Sequence, residues 1–322
     1  MPPSTADQTS MENTLAELIA EVLGDGPVTE LRQLSGGASR ETWQFATGGR
    51  SLILQRQRSG DVRDMSIEVA VLRAAHAGGV PVPNVIAASS DVSELGAAYM
   101  VLTHVEGETI ARKILRDDAF AEARAQLAAD CAVALVGLHS IDPATVPQLA
   151  ATDQIDQYRT TLDTLGYPHP TFELTFRWLE SNRPTTDRLT VVHGDFRLGN
   201  LMVGPEGLRA VLDWELAHIG DPMEDLGWLC VKAWRFGSPK PVAGVGEYAD
   251  LFDAYAAASG TMVDPDVVRW WEVLGTLKWG IMCILQAQAH LAGSIRSHEM
   301  AAIGRRVCEN EHDLFLALDG HW

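Results

Sequence analysis

Two stretches constrain this chain more than any others: Val191-Val192-His193-Gly194-Asp195-Phe196-Arg197-Leu198-Gly199-Asn200, and then Val211-Leu212-Asp213-Trp214-Glu215. An apolar pair runs into a glycine-containing loop that carries an Asp and, after four intervening residues, an Asn. A second Asp ends the apolar run Ala210-Val211-Leu212. Gly204-Pro205-Glu206-Gly207 has turn composition, so the flanking runs predict a hairpin that returns Asp213 toward Asn200. Any fold this chain adopts must therefore gather two carboxylates and a carboxamide on one loop and one hairpin end.

Phosphoryl transfer from ATP asks for that set: one carboxylate to accept a hydroxyl proton, and hard oxygen ligands for the magnesium that neutralises the phosphates. In kinases the base and the Asn are also separated by four residues, and the metal-binding Asp follows. Asp195 is then the expected base, with Asn200 and Asp213 as the expected Mg²⁺ ligands. Residues 191–228 resemble the aminoglycoside phosphotransferase (APH) / choline kinase-like family, whose signature is an HGD, then an Asn, then an Asp on the next strand. HGDFRLGNLMV with VLDWELAHIGDPMEDLGWL is similar to the branch that includes kinase-like domains fused to some acyl-CoA dehydrogenases. The resemblance implies an α+β, protein-kinase-like two-lobed fold, with a small antiparallel-sheet N-lobe and a mostly helical C-lobe. It implies ATP and Mg²⁺ as cofactors and a small hydroxylated substrate. Acceptors in the family include aminoglycosides, choline, sugars and homoserine, and the dehydrogenase-linked branch suggests hydroxylated acyl compounds.

The neighbours of these residues fit the same reading. Arg197 stands two residues after Asp195, where protein kinases keep a lysine that contacts the transferring phosphate, so it is expected to stabilise developing charge. His193 is expected to order the loop rather than act as base. Asp221 before Pro222 reads as a helix N-cap with proline at the first position, and the GDP-x-x-D spacing to Asp225 suggests structural hydrogen bonds.

The three expected parts of the chain are a disordered tail (1–11), an N-terminal nucleotide-binding lobe (12–103) and a helical C-terminal lobe (104–322). An amphipathic helix over Leu15, Leu18, Ile19 and Val22 opens the first lobe, and strands follow over Leu31–Leu34, Thr42–Phe45 and Ser51–Leu54. Between the first two lie Ser35, Gly36, Gly37 and Ser39. Their glycines allow backbone N–H groups to approach phosphates, and their serines add hydroxyl donors. A kinase carries a Lys on the third strand, paired to a Glu on the next helix. The first lysine here is Lys113, so Arg56, or Gln55 with the alignment slipped by one, takes that place. Strand alternation puts these two on opposite faces; Arg56 supplies the missing charge, and Glu68, in a helix over Asp64–Ala77, is its expected partner. The resemblance sends the apolar strand Ala97–Val105 into the hinge between lobes, with backbone around Thr103 and Val105 meeting adenine. Helical periodicity then dominates over 118–139, 154–183, 246–259, 266–292 and 297–318, with Trp270, Trp271 and Trp279 read as core.

Composition narrows the classes further. Four dispersed cysteines form no CxxC or Cys/His ligand pattern, so reduced thiols and a cytoplasmic location are expected. The first residues lack a basic, apolar leader, and no apolar run approaches a membrane span. A net charge of -18 repels nucleic-acid backbones and leaves a cationic substrate open. None of the four lysines follows a glycine, which excludes a P-loop. Helix-like Asp225-Leu226-Gly227-Trp228 follows Asp213 too closely for the activation segment of a protein kinase. The alternative is a catalytically weak nucleotide-binding pseudokinase that acts through a protein partner; the absent strand lysine favours it, and the presence of Asp195, Asn200 and Asp213 opposes it.

Overall fold

In a computed structural model, which describes residues 5–36, 40–58, 64–186 and 188–321, the chain divides into two compact units. One comprises residues 1–77 and 81–106, the other 78–80 and 107–322. The division after Glu106 falls just beyond the expected 103/104.

The first unit is built on a five-stranded antiparallel sheet flanked by helices: α1 (Thr5–Leu23), β1 (Thr29–Gly36), β2 (Arg40–Thr47), β3 (Arg50–Gln57), α2 (Met65–Ala77), β4 (Val85–Ser89), α3 (Val92–Leu95) and β5 (Tyr99–Thr103). The strand order is β1-β2-β3-β5-β4. Residues 5–11 therefore carry helical backbone in place of the expected disordered tail. Between Pro3 and Gly24 no residue breaks a helix, so the turn that packs Leu15 and Ile19 propagates back toward the start.

Alternation gives the sheet two distinct faces. On one, Trp43, Phe45, Leu52, Leu54, Tyr99 and Val101 are buried with Leu15 and Ile19 of α1 and Leu95 of α3. The other meets α2, which buries Val69, Val71, Leu72 and Ala75. The β2–β3 register pairs Arg40 with Gln57, Glu41 with Arg56, Thr42 with Gln55 and Trp43 with Leu54. Directly paired residues share a face, so Arg56 lies on the apolar α1 side and Gln55 on the α2 side.

The second unit is mostly helical: α4 (Ala111–Arg116), α5 (Ala121–His139), α6 (Gln154–Leu165), α7 (Pro170–Ser181), β6 (Thr190–Val192), β7 (Leu201–Gly204), β8 (Gly207–Val211), β9 (His218–Gly220), α8 (Met223–Cys230), α9 (Tyr248–Ser259), α10 (Pro265–Leu291), α11 (His298–Ile303) and α12 (Val307–Leu318). The 27-residue α10 is its axis. Leu274, Leu277 and Ile281 pack with Phe172, Phe176 and Leu179 of α7 and Leu314 of α12, while Trp279 joins Trp228 and Trp234 in a second cluster. No helix among the described residues is long and apolar enough to cross a membrane.

Glycines set how closely α8 approaches α10. A Cβ on Gly227 would lie 2.5 Å from Trp271 Cβ, and one on Gly275 would lie 2.8 Å from Val231 Cγ2. This contact fixes Trp228 and Lys278 relative to the loop described next. Gly227→Ala should therefore lower the unfolding free energy by about 1–3 kcal/mol through overpacking, read from urea titrations of both proteins. An unchanged midpoint would show that the two helices separate at no cost.

Candidate active site

The catalytic-type loop leaves β6, which pairs with β9, and turns at Gly194. That residue has φ +76°, and a Cβ there would lie 2.5 Å from Leu216 O, so only glycine fits. Asp195 follows, 8% exposed. Its carboxylate accepts from three side chains: Asn200 Nδ2 at 2.7 Å, Trp228 Nε1 at 2.8 Å and Arg197 Nε at 3.0 Å. Asn200 Nδ2 also donates to Asp195 O at 3.0 Å. With its amide nitrogen so engaged, Asn200 presents Oδ1 as the side-chain atom suited to a hard cation.

The hairpin forms as the turn composition predicts. Leu201 pairs with Val211 and Gly204 with Gly207, and Leu212 N–H donates to Asn200 O at 2.8 Å. Asp213 thus begins one residue from the backbone of Asn200. It holds a left-handed backbone, φ +66°, a conformation uncommon outside glycine that is tolerated by Asp and concentrated at functional sites. Asn200 and Asp213 together offer the oxygen donor set that Mg²⁺ prefers, so these residues fit such an ion. Arg197 stacks over the Trp234 ring, 4.8 Å from its centroid, which holds its guanidinium beside Asp195.

His193 joins these pieces and is fully buried. Its Nδ1 accepts from Asp195 N–H at 3.2 Å, and its Nε2 donates to Leu212 O at 3.1 Å, linking the loop to the residue before Asp213. Both His193 N–H and Gly194 N–H donate to the buried Asp225 carboxylate, at 2.8 and 2.9 Å. His139 Nε2 lies 3.2 Å from the same carboxylate, and its Nδ1 lies 2.9 Å from Tyr255 OH. Burial by itself would raise the Asp225 pKa, but the His139 bond, the neighbouring histidines and the backbone donors outweigh it and hold the carboxyl below its ordinary value. Asp221 Oδ1 accepts from Met223 N–H at 2.8 Å, but the N-cap of α8 is Pro222 rather than the expected Asp221, because the helix starts at Met223, one residue later than the Asp-Pro pattern suggests. Lys278 adds a contact that periodicity could not reveal: its buried Nζ donates to Gly194 O at 2.8 Å, above the Trp228 ring at 4.5 Å and 3.7 Å from Glu224.

In the first unit the expected pairing is replaced. Arg56 does not meet Glu68; its Nη2 lies 2.7 Å from Glu41 Oε2 and its Nη1 donates to Leu95 O at 3.0 Å. Glu68 instead pairs with Arg40 of β2. The reason is the register: Arg56 faces the α1 side, whereas α2 covers the opposite face. Ser35 and Gly36 end β1, and Gly37 and Ser39 lie outside the described residues. Thr103 bonds Asn84 twice, its N–H to Asn84 O and its hydroxyl from Asn84 N–H, both at 2.9 Å. Val105 follows β5, partly exposed. Trp228, Lys278 and Arg40 were missed because a helical tryptophan, a helical lysine and a strand arginine each look ordinary until the packing is known.

The profile of the phosphotransferase enzyme family matches residues 30–271. Acyl-CoA dehydrogenase family member 10 of Mus musculus is 29% identical over 254 residues, which cover 72% of this chain and 23% of that protein. Across the members 10 and 11 that it matches, the chain spans 23% to 36% of their length. Among solved structures, a candidate aminoglycoside phosphotransferase of Ralstonia eutropha superposes with a TM-score of 0.77 at 20% identity, over 94% of this chain and 98% of the other. A spectinomycin phosphotransferase in complex with ADP and spectinomycin gives 0.65 at 11% identity, over 95% and 98%. At such identities the likeness shows a kinase-like fold.

Asp225→Asn keeps the shape but sets an N–H against the loop amides, and should cost about 2–4 kcal/mol of stability at neutral pH. The sign with pH follows from the depressed folded pKa: the contribution is present above the ordinary carboxylate value near 3.8 and is lost as pH falls through the lower folded value. Urea midpoints measured between pH 7 and pH 3 should fall more steeply for the native protein than for the variant. Parallel curves would show that Asp225 carries no such charge-dependent role.

Proposed function

Because this chain belongs to the phosphotransferase enzyme family, we propose that it moves the γ-phosphate of Mg-bound ATP to a hydroxyl of a small molecule. The observation that carries this reading is the joining of Asp195, Asn200 and the Asp213 hairpin end through Asn200 Nδ2 and Leu212 N–H. Asp195 takes the role of base: it orients the acceptor hydroxyl and receives its proton late in a loose transition state. Trp228 and Asn200 hold that carboxylate in one orientation, and Arg197 lies close enough to Asp195 to meet charge as it develops on the phosphoryl oxygens. Asn200 and Asp213 would hold the magnesium, which when bound neutralises phosphate charge. Ser35, Gly36, Gly37 and Ser39 are proposed to meet the phosphates, and the backbone around Thr103 and Val105 the adenine.

For the acceptor, the likeness to acyl-CoA dehydrogenase family members favours a hydroxylated acyl compound, with an aminoglycoside as the rival class. Three buried free thiols, Cys131, Cys230 and Cys283, suit a reduced, cytoplasmic setting.

The test incubates the native protein and Asp195→Asn with Mg-ATP and a pooled set of hydroxylated acyl-CoAs, metabolites and aminoglycosides, scanned by mass spectrometry. A product should form with the native protein, slow by about 10²–10⁴-fold in the variant, and vanish on chelation of magnesium. Binding of Mg-ATP without any product would move the reading to a pseudokinase that works through a partner.

A further inference from the structure

We propose that Arg40, on the second strand, is the phosphate-binding cation of the nucleotide site, in the place where kinases use a lysine on the third strand. The assignment rests on the reading that this chain binds ATP. In that arrangement the lysine is identified by its ion pair with a glutamate of the following helix, a pair that must be formed for the phosphates to be held. Here the glutamate is Glu68 of α2, with its side chain 7% exposed, and the cation it meets is the Arg40 guanidinium, 12% exposed. A carboxylate so enclosed needs a partner.

The strand geometry explains the exchange. Arg40, Thr42, Gln55 and Gln57 share the face toward α2 through the β2–β3 register. On that face the third strand carries Gln57 and, at the position expected of the lysine, Gln55, which is neutral. Its Oε1 lies 3.3 Å from Arg40 Nη1, so the glutamine orients a charge that arrives from the neighbouring strand. Arg56, next along β3, is directed to the other face and engaged by Glu41 and Leu95 O. Of the other described arginines of this unit, Arg32 bonds Gln44 and Arg50 bonds Asp25, both on exposed surface, Arg58 lies beyond the end of β3, and Arg73 is exposed on α2. No lysine precedes Lys113. Arginine also changes how a phosphate is held: its planar fork matches phosphate oxygens two at a time and keeps its charge at any working pH, whereas a lysine acts as a point charge.

Isothermal titration of the full chain with Mg-ADP and with adenosine separates a phosphate role from a structural one. Arg40→Ala should weaken Mg-ADP binding about 10-fold or more, the scale of losing one charge-assisted contact, while adenosine affinity stays within about twofold. Arg56→Ala should leave both affinities near native. The double variant Arg40→Ala, Gln55→Lys, which restores a lysine to the third strand opposite Glu68, should recover much of the lost Mg-ADP affinity. Adenosine binding reports that each variant is folded, and Arg40→Lys provides a conservative form should Arg40→Ala not fold. Native Mg-ADP affinity in Arg40→Ala, or equal losses for Mg-ADP and adenosine, would overturn the assignment. A native protein that binds neither ligand would instead remove the nucleotide reading itself, and this assignment with it.

Discussion

The buried carboxylate of Asp225 holds the loop on which the rest of the site depends. A loop that must present a carboxylate at one fixed orientation cannot also satisfy its own amides through regular secondary structure, because Gly194 turns the chain out of the strand. Asp225 accepts both buried N–H groups, from His193 and Gly194, and is itself met by His139, whose other ring nitrogen meets Tyr255 OH. Lys278 secures the next peptide of the loop through Gly194 O. With its backbone held from both directions, the loop can keep Asp195 facing Asn200, Trp228 and Arg197 before any ligand arrives, so little ordering is left for the moment of reaction.

The same economy of placement appears at the hairpin. His193 Nε2 reaches Leu212 O, and Leu212 N–H reaches Asn200 O, so both backbone polar groups of one residue bind the two ends of the loop. Asp213 follows that residue in a left-handed conformation. Its position is thus set by neighbours on either side of the loop, and the local strain is compensated by these two hydrogen bonds rather than by a glycine.

In the first unit, face matters more than sequence proximity. Arg56 and Gln55 are adjacent, yet the pleat sends one to the apolar side under α1 and the other to the side covered by α2. A rule that seeks the nearest positive charge to the third-strand position selects Arg56. The sheet selects Arg40, sixteen residues earlier by number (56 minus 40), because antiparallel pairing carries it to the same face as Gln55 and Glu68. Helix starts were harder to read for a related reason: the apolar face that defines α1 begins at Leu15, whereas its backbone bonds run back to Thr5.

The sequence alone determined what depends on short spacing. Asp195 to Asn200 is a local loop, the Gly204–Gly207 turn fixes the hairpin that brings Asp213 back, and Asp221-Pro222 leads into the helix behind it; each is encoded within a few residues, where turn chemistry and alternation operate. The strands and helices with strong periodicity were legible on the same grounds. Tertiary structure alone decided the rest: that Trp228 and Lys278 come to Asp195 and Gly194, that β9, only three residues long, pairs with β6, and that Glu68 takes its cation from β2. Those contacts join residues tens of positions apart, and their partners are chosen by which faces pack together, information that no local pattern in the chain contains.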